Sequence, residues 1–140
     1  MIAFESVEKN DDHVNVLYNL LLSRDEAQNI SHQSKPDFNE HQEFVMNHPY
    51  RAWYLVKKDG DYIGSVNVLE SNTIGLYIPS SENDAIKKSI EFIKENYEPL
   101  PPIKSIRQSR FIVNVAIHNK DLGDVISDLG GQAVQTTYVV

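Results

Sequence analysis

The chain has no cysteine. That excludes a disulfide framework, a thiol nucleophile and a thiolate metal site. No apolar run approaches the roughly 20 residues of a membrane-spanning helix, so no membrane partner is expected. The opening MIAFESVEKNDD has neither the basic region nor the apolar core of a secretory signal, and a cytoplasmic location is the default expectation. Positive charge is scarce: 13 Lys and Arg against 20 Asp and Glu give a formal net charge of −7, with no basic cluster. Nucleic acid is therefore not an expected partner. There is no G-x-G-x-x-G, no P-loop and no Ser-His-Asp pattern. His32, His41 and His48 lie among several carboxylates, but their spacing fits no metal motif and no metal is expected.

What is present is ordinary for a folded chain. The 140 residues are 41% hydrophobic and 24% charged, which suits one domain over 1–140 with a real core. Ile2–Val7 suits a first strand. Asp11 or Asp12 can cap a helix on which Val14, Leu17, Tyr18 and Leu21 form one apolar stripe. Ser23–Asp37 reads as loop. Asn39 with Gln42 resembles a capping box for a short helix through Met46, stopped at His48-Pro49. Arg51–Lys58 alternates, Asp59-Gly60 is a hairpin turn, and Tyr62–Leu69 returns. Ser71-Asn72 turns the chain into Thr73–Ile78, completing a three-stranded meander.

A helix from about Asp84 to Tyr97 follows, with Ile86, Ile90, Ile93 and Tyr97 on one stripe. Glu98-Pro99-Leu100-Pro101-Pro102 ends it. Phe111–Ile117 is nearly all apolar and reads as a strand buried on both faces. Asn119 can cap a last helix carrying Leu122, Val125, Ile126 and Leu129, closed by Gly130-Gly131. Ala133–Val140 reads as a final strand, whose edge suits pairing with a second copy, so a homodimer is a further expectation. The predicted order is β-α-α-β-β-β-α-β-α-β, an α+β or mixed-sheet protein.

Two stretches carry a family resemblance that covers almost the whole length. YRAWYLVKKDGDYIGSVNVL, with Asp59-Gly60 and Ile63-Gly64, and NVAIHNKDLGDVISDLGG, with Asn119 and Leu129-Gly130, resemble the GNAT superfamily of acyl-CoA-dependent N-acyltransferases. The resemblance implies a twisted mixed sheet of about six strands, an antiparallel meander plus a parallel pair that splits. Thr73–Ile78 and Phe111–Ile117 would be that pair. Pantetheine of acetyl-CoA or another acyl-CoA would lie between them, against Leu76, Tyr77, Ile78 and Asn114–Ala116. Its pyrophosphate would sit on Ser80, Ser81, Asn83, Asp84 and Ala85 at the helix start, with Asn119 on the family Asn. The implied reaction is direct transfer of the acyl group to the amine of a small molecule, such as an amino sugar or amino-acid derivative.

The chain departs from the family pattern twice. The family's Arg/Gln-x-x-Gly-x-Gly/Ala signature meets either Glu82-x-x-Ala85-x-Lys87 or Ser80-x-x-Asn83-x-Ala85. Both lack the glycines that let backbone approach a phosphate. Glu82 and Asp84 complement the helix dipole but repel a pyrophosphate. The site is thus expected to hold CoA weakly or to be empty, with Ser80 and Ser81 serving only as caps. The family's proton-donating Tyr falls on Ile126, and its Phe on Gly131.

Tyr77 or Tyr138 would then be the acid, and Glu70 a base acting through water. The alternatives are two strand aromatics and a solvated carboxylate. His118 could titrate near neutral pH or be a surface residue. Arg51 would recognise an acceptor anion. Trp53, with Tyr54 and Phe44, would line an acceptor cleft or simply be core. The competing reading is a catalytically inactive module of the same architecture that does not use CoA.

Overall fold

The computed structural model describes residues 1–24 and 35–140. Most of the loop expected over Ser23–Asp37 lies outside the described residues. The described chain runs β1 (Ile2–Ser6), α1 (Asp11–Ser23), α2 (Phe38–Asn47), β2 (Ala52–Lys58), β3 (Asp61–Val68), β4 (Ile74–Tyr77), α3 (Asn83–Asn96) and α4 (Lys120–Asp128). It is an α+β fold on a four-stranded antiparallel sheet in the order β1-β2-β3-β4. No helix among the described residues is long and apolar enough to cross a membrane.

Period-two alternation sorts the side chains onto two faces. Register pairs Tyr54 with Val66 and Leu76, and Ala52 with Val68 and Ile74. These residues pack against Ile86 and Ile93 of α3 and Leu122 and Val125 of α4. The opposite face carries Trp53 and Leu55, covered by Val14 and Leu17 of α1 and Val45 of α2. The β2–β3 hairpin closes as its sequence predicts: Asp59 and Gly60 both adopt positive φ, 51° and 88°, which matches the right-handed twist of the strands.

Helix starts differ from expectation where several short polar residues compete. Asn10, not Asp11 or Asp12, caps α1 by accepting from the His13 N–H at 2.8 Å. Asp11 and Asp12 sit in the first turn, where they complement the dipole. Asp37, not Asn39, caps α2 by accepting from the Glu40 N–H at 2.8 Å. Neither Ser80 nor Ser81 caps α3, whose N-cap position is Glu82 and has no side-chain cap bond. Asn119 does cap α4, accepting from the Leu122 N–H at 3.3 Å.

Two expected strands are absent. Phe111–Ile117 joins the sheet through a single parallel pair, Thr73 with Ile112. The Ile74 N–H donates to the Ile112 carbonyl at 2.8 Å, and the Ile112 N–H donates to the Asn72 carbonyl at 3.0 Å. Beyond that point the segment runs without a ladder. It is covered on one face only: Phe111, Val113 and Val115 pack on the core, while Ile112 is 39% exposed. Ala133–Val140 forms no strand either and is exposed throughout. The sheet therefore has four strands instead of about six. Apolar alternation made both segments fit for a ladder, but pairing needs a neighbour edge that local sequence does not specify.

Asn72 determines where the returning chain meets the sheet. It is fully buried and sits at φ 67°, a left-handed conformation that Asn tolerates better than other side chains. Its Nδ2 donates to the Leu100 carbonyl at 3.1 Å and the Gln108 carbonyl at 2.9 Å. Its Oδ1 accepts from the Leu100 N–H at 2.8 Å. One carboxamide thus clamps Leu100, within the proline-rich connection, to Gln108 beyond it. Replacing Asn72 with Ala removes these bonds and keeps the strained backbone, so it is expected to cost about 2–4 kcal/mol. Asn72→Gly loses the same bonds without the φ penalty and should cost about 1 kcal/mol less. Urea denaturation of the three proteins checks both values.

His41 of α2 is buried, and its Nε2 lies 3.0 Å from the Val14 carbonyl of α1. Burial pushes its pKa below the usual imidazole value, helped by the nearby Arg24 charge. Burial, with a smaller effect from Lys9, also lowers His48. A folded-state pKa below the unfolded one means the unfolded chain binds the extra proton first. That stability is full above the unfolded value and is lost as pH falls toward the folded one. The urea midpoint should fall between about pH 7.5 and about pH 5.5, a window above the carboxylate range. Most of that fall should vanish in the His41→Gln/His48→Gln double variant, compared by urea titration at the two pH values.

Candidate functional site

Asn72 and Thr73 mark where the returning chain meets the edge of β4. From the Thr73–Ile112 pair the two segments separate with no second pair. Among the described residues, the N–H and C=O groups of Val113, Asn114 and Val115 make no backbone hydrogen bond. Asn114 is exposed. On the other side, Leu76 turns into the α3/α4 core, Ile78 is buried, and Tyr77 faces the α1/α2 side opposite Ser65. β4 and residues 113–115 thus share no ladder beyond the Thr73–Ile112 pair among the described residues.

At the far end lies the start of α3. Ser80, Ser81 and Asn83 line a cavity of about 290 Å³ together with Asp121, Asp124, Val125 and Asp128 of α4. The spacing of the three aspartates places them on one helical face. Asp124 is paired with Lys120 at 2.9 Å, Asp84 with Lys88 at 3.1 Å, and Glu82 with Lys58 at 2.9 Å. Ala85 is fully buried in the core, so its side chain does not face the cavity. The helix amides invite an anion, while the carboxylates around them oppose one.

The remaining candidates are not gathered at one point. Glu70 is exposed, and its carbonyl accepts from Arg107 Nη1 at 2.9 Å. Tyr138 is 82% exposed on the C-terminal tail, and its side chain makes no hydrogen bond or ring contact among the described residues. His118 is exposed. Arg51 donates to the Glu98 carbonyl at 2.8 Å and lies 5.4 Å from the Tyr97 ring, which occupies it at the end of α3. Asn119 holds the start of α4. Trp53 is buried in an aromatic cluster with Phe44, His48 and Tyr50, at ring separations of 6.0, 5.0 and 4.9 Å. His32 lies outside the described residues. Among those described, no group of His, Asp and Glu could hold a metal ion.

The structure adds residues that sequence reading passed over. The Arg24 guanidinium lies over the Tyr77 ring, 4.1 Å from its centroid. Tyr50 is near both. Burial first, and then Tyr77, push the Tyr50 hydroxyl up to about 12, with Arg24 opposing, so it keeps its proton at neutral pH. Asn67 and Ser65 of β3 are each 2% exposed on the same sheet face. A polar residue at an inward register of an alternating strand was the available signal for both. Arg24 had none, because it follows the last turn of α1 and meets Tyr77 only in three dimensions. The chain matches no protein-family model, no curated protein and no solved structure.

Proposed function

We propose that this chain is a GNAT-type N-acyltransferase that moves an acyl group from acetyl-CoA or another acyl-CoA to the amine of a small molecule. The observation that carries the reading is that residues 111–117 meet β4 at one parallel pair and then run on without a backbone hydrogen bond at 113–115 among the described residues, as they would on one side of an opening. An extended pantetheine arm hydrogen-bonds in such an opening as an added strand would. The antiparallel meander, with α1 and α2 on one face and α3 and α4 on the other, supports the same assignment.

In the reaction, the amine lone pair attacks the thioester carbonyl, the C–N bond forms and the C–S bond breaks. The ammonium proton leaves to a base, and the departing thiolate takes a proton. Tyr77 is the side chain of this set that β4 holds beside the opening, and we assign it the proton to the sulfur. Glu70, beyond the end of β3, is the group for a water-relayed base. Tyr138 stays on the exposed tail and is dropped from the mechanism.

One observation favours a second reading, a non-catalytic module without CoA: the carboxylates at the α3 start. A pyrophosphate there meets Asp121, Asp124 and Asp128 across a cavity of about 290 Å³. Each unscreened charge pair near 4 Å costs about 1–4 kcal/mol, depending on the effective dielectric.

The two readings part in one titration. Calorimetry with acetyl-CoA should give a dissociation constant in the millimolar range, about −4 kcal/mol. The Asp121→Asn/Asp124→Asn/Asp128→Asn variant should bind about tenfold more tightly at low salt, with the gain shrinking as salt is added. Absence of heat from both proteins overturns the transferase reading and leaves the module.

A further inference from the structure

The strongest unexplained feature lies on the α1/α2 face of the sheet, away from the acidic cavity. Arg24 is half-buried and sits on the Tyr77 ring at 4.1 Å. Its charge is felt by Tyr50 and His41. Among the described residues, the guanidinium makes no ion pair and no hydrogen bond. The other cations described above are engaged: Arg51 with Glu98, Arg107 with Pro101 and Glu70, and Lys58 with Glu82. Withdrawing a guanidinium from water without an anion is unfavourable, and ring stacking offsets only part of it.

Three buried hydrogen-bonding groups accompany it on the same face. Trp53 is 7% exposed and its Nε1–H, a donor only, has no acceptor. Asn67 and Ser65, each 2% exposed, make no side-chain hydrogen bond among the described residues. Sheet register sets these groups side by side, Trp53 beside Asn67 and Asn67 beside Gly75, then Ser65 beside Tyr77 in the next row. The Asn67 carboxamide lies over Gly75, where a Cβ would sit 2.5 Å from its Oδ1. Tyr50 closes the group, edge-on to Trp53 at 4.9 Å. Buried polar groups are nearly always satisfied, so an unsatisfied indole N–H beside a cation with no anion among the described residues marks a place for a ligand.

We infer that Arg24, with Tyr77, Tyr50, Trp53, Asn67 and Ser65, forms a binding site for a small carboxylate-bearing molecule. A guanidinium presents a planar fork that matches a carboxylate. The indole, amide and hydroxyl groups supply donors for further oxygens of the ligand. Among the described residues the stacked guanidinium is a single cation with neutral partners, which suits a singly charged acid better than a phosphate dianion. The site stands whether or not acyl-CoA is used.

Trp53 is the sole tryptophan of the chain, so tryptophan fluorescence has one source and it lies in this site. Titrating the full chain with acetate and with D-glucuronate should give a saturable shift of its emission. Acetamide and D-glucose, the neutral counterparts, should give none. In Arg24→Met, checked for an unchanged circular-dichroism spectrum, the apparent dissociation constant for both acids should rise at least tenfold. If that variant does not fold, the acid-against-neutral comparison in the unmodified chain decides. The inference is overturned if neither acid gives saturation, if the neutral compounds act equally, if Arg24→Met titrates as the unmodified chain does, or if inorganic phosphate saturates at lower concentration than the acids. No acyl-CoA enters these titrations, so their outcome is separate from the calorimetric one.

Discussion

The arrangement depends on one buried carboxamide. Asn72 donates to Leu100 and Gln108 and accepts from Leu100, while its own carbonyl receives the Ile112 N–H. A side chain with both donors and an acceptor is needed, because the clamped groups are of both kinds. The turn also needs a left-handed residue that carries such a side chain, and Asn meets both conditions. The consequence is long-range. The clamp brings the chain after α3 alongside Thr73 and no further, so the parallel pairing begins and at once ends. The proposed opening beside β4 follows from where Asn72 stops the ladder.

The two sides of that opening are electrostatically unlike. On the α1/α2 side a guanidinium rests on an aromatic ring, with no anion beside it among the described residues. On the α3/α4 side, aspartates crowd a helix start whose amides would otherwise draw anions. Screening over about 8 Å at physiological salt keeps each end local. The overall charge of −7 therefore says little about either. A neutral or weakly anionic extended group suits the middle of the opening, a carboxylate the Arg24 side, and a polyanion neither comfortably.

Much of this was legible in the sequence. The stripes Val14–Leu17–Leu21 and Leu122–Val125 gave two helices, and Asp59-Gly60 gave the hairpin, because these signals are local. Helix caps slipped by one or two positions where Asn10 competes with Asp11 and Asp12, and where Asp37 competes with Asn39. Phe111–Ile117 and Ala133–Val140 carried strand composition without a strand, since a ladder requires a second edge in space. The polar end at Pro79–Ala85 was legible as acidic from Glu82 and Asp84. The greater opposition, from the α4 aspartates, was hidden because it comes from a helix some forty residues later in the chain. Arg24, Tyr50 and Asn67 were illegible as a group for the same reason.

Could the lysines near the α3 start rescue a pyrophosphate site? Three of them, Lys58, Lys88 and Lys120, are already paired with Glu82, Asp84 and Asp124, which leaves Lys87 of α3 as the one near the helix start without an ion pair among the described residues. Exposed pairs of this kind are worth about 0–1 kcal/mol, so a lysine could swing from its carboxylate to a phosphate at little cost. The swing, however, bares the carboxylate it leaves. The number of uncompensated negative charges near the helix start is the same before and after, and the ligand adds its own. Rearrangement therefore relocates the repulsion without removing it, whereas neutralising Asp121, Asp124 and Asp128 removes it. Affinity at this end is set more by the carboxylate count than by the reach of the paired lysines, so on the proposed reading a tight ligand draws its binding free energy from the main chain of residues 113–115 and from the Arg24 side.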